Sequence, residues 1–105
     1  MNLDLEIMSP ESMKVYHLIK DFIRRRKLYT GGCKTFYTPH EWRYRREPVL
    51  ENPLLVLVYD GSDVKEIVYG RYAQTFKKLL DKHGYYLEQG HHWNCGIYKK
   101  GVSNE

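Results

Sequence analysis

The sequence predicts an α+β domain, a two-layer sandwich in which two helices pack on a small, mostly antiparallel sheet of about four strands. Three features carry that expectation. Val15, Leu18, Ile19, Phe22 and Ile23 recur at the spacing of one helical face. Leu54 to Tyr59 is an unbroken apolar run of strand length. A second helical stripe, Tyr72, Ala73, Phe76, Leu79 and Leu80, precedes two short extended segments separated by a turn.

Taken in order, Ser9 caps the first helix and Pro10 occupies its first position, where the absent N–H has no intrahelical bond to lose. Lys14, Lys20, Asp21 and Arg24 fall on the water-facing side, and the helix covers residues 9 to 28 before Gly31-Gly32 ends the element. Cys33-Lys34-Thr35-Phe36-Tyr37 reads as a short strand. Thr38-Pro39-His40-Glu41 repeats the cap-then-proline signature ahead of a brief helical turn bearing Trp42. Pro48 and Pro53 bracket a loop. Because Leu54 to Tyr59 does not alternate, it is expected as a central strand covered on both faces. Asp60-Gly61-Ser62-Asp63 turns the chain, a second helix starts at about Tyr69, and Gly84 follows Lys82 and His83 as its C-terminal cap. Tyr85 to Gln89 and Trp93 to Lys99 then form a hairpin about Gly90-His91-His92, with Trp93, Cys95 and Ile97 sharing its inward face.

No linker or repeat divides the 105 residues, so one domain over residues 1–105 is expected, with 1–8 and 101–105 as flexible ends. Hydrophobic residues at 42% and charged residues at 29% argue against disorder. Asp4 and Glu6 stand where a secretory signal needs a basic and then an apolar stretch, and no apolar run reaches bilayer length; a cytoplasmic protein with no membrane partner is expected. Cys33 and Cys95 are then reduced thiols rather than a disulfide, and no cofactor is called for. The net charge of +4 favours anionic partners, and ten tyrosines supply rigid amphipathic area suited to interfaces or to a small β-rich core.

The partner-binding candidates are Tyr37, His40, Trp42, Arg43, Tyr44 and Arg45, aromatic and basic groups that the Thr38-Pro39 turn projects between charged stretches. An alternative set, Arg24, Arg25, Arg26 and Lys27 with Arg43, Arg45 and Arg46, would neutralise phosphates of a nucleic acid while neighbouring aromatics stack on bases. The competing account makes the first run a solvated helix end and balances the second with Glu41, Glu47 and Glu51. His91, His92 and Cys95 are weak metal-ligand candidates, since adjacent histidines on an extended turn point apart and neither cysteine belongs to a Cys-x-x-Cys pair. Asp60 to Asp63 is turn chemistry first. With no phosphate loop, nucleophile elbow or paired-carboxylate signature, no residue is assigned a catalytic role.

Thr35-Phe36-Tyr37-Thr38-Pro39-His40-Glu41-Trp42, then Val58-Tyr59-Asp60-Gly61, then Gly84-Tyr85-Tyr86-Leu87-Glu88-Gln89 with Trp93 and Ile97-Tyr98, make a pattern of aromatics, glycines and one Pro-x-Glu-Trp turn. Over residues 33 to 99 this pattern resembles small uncharacterised proteins encoded by bacteriophages and prophages. The resemblance implies a context and no activity: such accessory proteins bind a host enzyme, a defence complex or nucleic acid in the host cytoplasm. The expected function is therefore a non-enzymatic module that binds and modulates a protein. The alternatives are a nucleic-acid-binding domain and a small metal- or thiol-dependent enzyme.

Overall fold

The computed structural model of the chain describes residues 8–31, 34–44 and 53–101. Its elements are α1 (Pro10–Arg25), β1 (Phe36–Tyr37), α2 (Pro39–Tyr44), β2 (Leu55–Val58), a 3-10 helix (Asp63–Ile67), α3 (Ala73–Lys82), β3 (Tyr85–Gln89) and β4 (Asn94–Lys99). The strands form one four-stranded antiparallel sheet in the order β1-β2-β4-β3, which gives the α+β class expected from the sequence. Because β4 lies between β2 and β3 and opposes both, β2 and β3 run parallel, and α3 is the crossover of a split βαβ unit.

Register separates two apolar faces. Phe36, Leu57 and Cys95 align across β1, β2 and β4, and Leu55, Ile97 and Leu87 align across β2, β4 and β3. These side chains meet Val15, Ile19, Phe22 and Ile23 of α1, Val64 and Ile67 of the 3-10 helix, and Phe76 and Leu80 of α3 in the main core. Val56 and Val58 have the opposite parity and are also buried, in a smaller cluster with Trp42, Tyr37 and Trp93. So α1 and α3 form the helical layer of the sandwich, while the short α2 covers part of the other face. β2 is enclosed on both sides, as its unbroken apolar sequence predicts.

The ends of the elements have local causes. Ser9 Oγ accepts a hydrogen bond from the Ser12 amide at 3.0 Å and caps α1. The helix stops at Arg25, short of the residue 28 expected, because a Schellman motif closes it: the Lys27 amide donates to the Arg24 carbonyl at 3.0 Å and the Leu28 amide to that of Ile23 at 3.3 Å. Lys27 takes the left-handed conformation, φ 52°, that glycine usually fills there. Gly31 is used for something else. A Cβ on it would lie 3.2 Å from the Gly61 carbonyl, where two loops cross.

The sequence did not foresee the 3-10 helix, which Ser62 caps by accepting from the Val64 amide at 3.2 Å. It also delays α3 from Tyr69 to Ala73. The intervening turn folds back on Glu66, whose carbonyl accepts from the Tyr72 amide at 2.8 Å and whose Oε1 accepts from the Arg71 amide at 2.9 Å. A Cβ on Gly70 would fall 2.8 Å from the Glu66 Cα, closer than real contacts allow. Gly70→Ala is therefore expected to destabilise the protein by about 1–3 kcal/mol, the usual cost of overpacking. Urea unfolding checks this, and an unchanged midpoint would show that the turn does not need so close an approach.

Candidate functional site

The α2 region, where the sequence places the partner surface, is built around a capping box. Thr38 Oγ1 accepts from the Glu41 amide at 3.0 Å, and the Thr38 amide donates to Glu41 Oε1 at 2.9 Å. Lys34 Nζ donates to Glu41 Oε2 at 2.5 Å from the preceding segment. Burial opposes ionisation of this carboxylate, but the Lys34 and Thr38 bonds outweigh it and hold Glu41 below its ordinary value.

The helix so fixed turns Trp42 inward. Only 3% of its surface is accessible, and it closes the small cluster over Val56 and Val58. Tyr37 meets the indole edge-on, with centroids 5.6 Å apart. Trp42 therefore belongs to a core rather than to an exposed anchor, because the face of β2 opposite α1 needs a cover and α2 supplies it. Tyr37 is half-buried, His40 and Arg43 are exposed, Tyr44 ends α2, and Arg45 lies outside the described residues.

Trp93 also departs from expectation. It precedes β4 and packs with Trp42, at 6.4 Å between centroids, while Cys95 and Ile97 enter the main core on the other side. The period-two alternation of the strand does not extend back through the turn. His91 stacks on Trp93 at 5.5 Å and 15° between planes. The turn is held by Asn94, whose Oδ1 accepts from the His91 amide at 2.9 Å. Tyr59 donates its hydroxyl to the Asn94 carbonyl at 2.9 Å, and desolvation raises its pKa.

This geometry leaves the metal and thiol candidates apart. Cys95 is fully buried beneath the helical layer, and desolvation pushes its thiol up to about 12, whereas His91 and His92 are exposed on the turn. Among the described residues no three His, Cys, Asp or Glu side chains gather as metal ligands. Cys33 lies outside those residues. Asp63 serves the loop crossing: its amide donates to the Tyr29 carbonyl at 2.7 Å, and its Oδ2 accepts from the Tyr29 amide at 3.3 Å.

Among the described residues the two basic clusters do not make one patch. Arg24 and Arg25 bind Asp21 at 2.7 and 2.8 Å, Arg24 foremost in holding that carboxyl below its ordinary range. The Arg26 guanidinium lies 3.6 Å from the Phe22 ring centroid. Arg43 sits across the sheet on α2, and Arg46, like Arg45, is outside the described residues. What the sequence reading missed is the lysine face of α3, a helix that packs beside α1 and carries Lys77, Lys78 and Lys82 on its exposed side. The signal was present in the second stripe, where Lys77 and Lys78 fill the gap between Phe76 and Leu79 and Lys82 follows.

Two grooves result. One, of about 370 Å³, lies between α1 and α3 over Leu18, Phe22 and Leu79, and is rimmed by Arg25, Arg26, Lys78 and Lys82 with Asp21 among them. The other, of about 390 Å³, lies between α3 and β3 over Leu80, Tyr85 and Leu87, with Lys77, Lys78 and Lys100 at its edge. Lys78 borders both. Among the described residues no helix is long and apolar enough to cross a membrane. Neither family models, nor curated proteins, nor solved structures give a match to the chain.

Two outcomes are expected at α2. Trp42→Ala should cost about 3–5 kcal/mol of stability, as for a buried indole, measured by urea unfolding. A variant that keeps its stability but loses partner binding would return Trp42 to the interface. For Glu41 the folded pKa is lowered, so its contribution is present above the ordinary value of 4.5 and is lost as the pH falls through the lower folded value. The stability gap between wild type and Glu41→Gln should thus be full at neutral pH and shrink in acid. A gap independent of pH would mean that the charge of Glu41 does not hold the cap.

Proposed function

We propose that this chain is a non-enzymatic binding module for an acidic protein partner, engaged through the cation-rich surface of α1 and α3. One observation carries the reading. Lys14, Lys20, Lys77, Lys78 and Lys82 stand on the helical layer with no carboxylate paired to any of them among the described residues, and only Glu11, Asp21 and Asp81 offset this layer. Among the described residues an excess of positive charge is thus gathered on this layer, where it steers and orients an anionic surface.

The character of the grooves favours a protein over a nucleic acid. Their floors are apolar, which an apolar side chain dries and a phosphodiester backbone does not. The rings near the basic run are not offered for stacking, because Arg26 lies over Phe22 and also 5.5 Å from the Tyr72 ring. Exposed Tyr29 is tied at its backbone to Asp63, whose carboxylate opposes phosphate. An enzymatic reading gains nothing from the thiol, buried beneath the helices and away from both turn histidines. If the phage resemblance holds, the partner is a host protein in the host cytoplasm.

Capture from a nuclease-treated extract by the immobilised chain, beside its Lys77→Glu/Lys78→Glu/Lys82→Glu variant, tests the reading. An acidic protein should be retained at about 0.15 M ionic strength, where exposed charges act over some 8 Å, and should be depleted at least ten-fold on the variant. Retention abolished by nuclease would put nucleic acid first. Equal retention by the variant would move the partner off this surface.

A further inference from the structure

β3 is an edge strand with an unused ladder. Antiparallel pairing places main-chain bonds at alternate residues. The Lys100 amide donates to the Gly84 carbonyl at 2.9 Å, and the Gly90 amide donates to the Asn94 carbonyl at 3.1 Å. With the register Tyr86 to Tyr98 and Glu88 to Gly96, these bonds assign the even-numbered residues of β3 to the β4 side. The N–H and C=O groups of Leu87 and Gln89 therefore point outward, and no described group meets them, whereas Tyr85, of the same parity, is closed off at 1% accessibility. Natural edges are commonly blunted by charged side chains, proline or a bulge, and of these Tyr85–Gln89 has only Glu88, whose side chain lies on the sheet face away from Leu87.

The open ladder runs beside the α3–β3 groove. Tyr85 and Leu87 face the helical layer, and Leu87 is only partly covered, so Leu80 and Leu87 present an apolar floor next to the outward amides. Lys100 pairs with Asp81 across the groove. Among the described residues no carboxylate pairs with Lys77 or Lys78.

We infer that the β3 edge and this groove bind an extended acidic segment of the partner as a fifth strand of the sheet. Its main chain bonds to Leu87 and Gln89, one apolar side chain lies over Leu80 and Leu87, and flanking carboxylates reach Lys77 and Lys78. Strand addition takes affinity from main-chain bonds and specificity from alternate side chains, and both are laid out here. Charge complementarity selects the sign of the ligand. The ladder selects its class, since outward carbonyls need donors, which a polypeptide supplies at every second residue and a phosphodiester does not. The inference rests on the chain being a binder of an acidic protein.

The probe is the capped peptide Glu-Thr-Val-Thr-Glu-Thr, whose Glu, Val and Glu share one side of a strand. Its binding to the full chain is followed by calorimetry and by amide hydrogen exchange. Two N-methylated versions, blocked at alternate amides in opposite phases, leave the protein unaltered. The expected result is measurable binding that slows exchange at Leu87 and Gln89. Affinity should fall at least ten-fold with one methylated phase only, and at least ten-fold with Lys77→Glu/Lys78→Glu. Equal binding by both phases, protection confined to the α1–α3 groove, equal binding of a Lys-for-Glu peptide or an oligothymidylate, or binding that needs deletion of residues 1–7 would each overturn the proposal. No peptide binding, with the acidic protein still captured through the α3 lysines, overturns the strand site and leaves the binding module standing. Loss of both sinks both.

Discussion

The structure depends on one constraint: the β2–β4 pair has no face that can meet water. Leu55, Val56, Leu57, Asn94, Cys95 and Ile97 are all inaccessible, so cover is required on both sides of the sheet. Two long helices supply it on one side. On the other, among the described residues, the helix is one of six residues, far below the length that is stable alone. Its reciprocal Thr38–Glu41 bonds, the Lys34 ion pair and the breadth of the Trp42 indole make so short an element an adequate cover. The outer strands receive less: β1 is two residues long, and β3 keeps an open ladder.

Much of this was legible in the sequence because it is written in local chemistry. Ser9-Pro10 and Thr38-Pro39 mark helix starts by satisfying or dispensing with amides, the run Leu54 to Tyr59 marks a doubly covered strand, and Gly84, at φ 85°, marks the end of α3. What failed was whatever required knowing which of two cores a side chain joins. Trp42 and Trp93 are each as apolar as a core residue and as broad as an interface anchor, and their sequence neighbours are polar. Only the pairing of β2 with β1 and β4 shows that a second core exists for them to fill. The early stop of α1 was hidden for a different reason. Lys27 does the work of a glycine at a small conformational cost, roughly 1–2 kcal/mol for a left-handed residue, so composition gave no sign of it.

The candidate surface was half legible on the same grounds. Arg24 to Lys27 stands out as a run, yet Asp21 and Phe22 occupy most of it. The lysines of α3 are spaced singly and in a pair, make no motif, and with Lys14 and Lys20 of α1 are left without a paired carboxylate among the described residues. Runs of charge are conspicuous in sequence, but a binding surface is made by charges whose partners are missing, and that depends on what the fold brings near. Here a crossover sets α3 beside both α1 and β3, so Lys78 borders two grooves at once.

That crossover also sets how rigid the proposed site is. α3 passes into β3 through His83 and Gly84 alone. The His83 amide reaches the carbonyls of Leu79 and Leu80 at 3.3 and 3.1 Å, the Gly84 amide reaches that of Asp81 at 3.1 Å, and the Gly84 carbonyl accepts from Lys100 of the strand beyond. Across the same end, the Lys100 side chain ties the exit of β4 to Asp81 of α3. At the other end of α3, the turn at Gly70 is pinned on Glu66. The helix that walls the groove and the strand that floors it are thus joined by a single hydrogen-bonded turn, with no loop to open. A groove so bounded keeps its width whether or not it is filled, and a ligand loses its own freedom on binding without also having to order the site. An extended segment suits such a site because it is thin enough to enter without widening it.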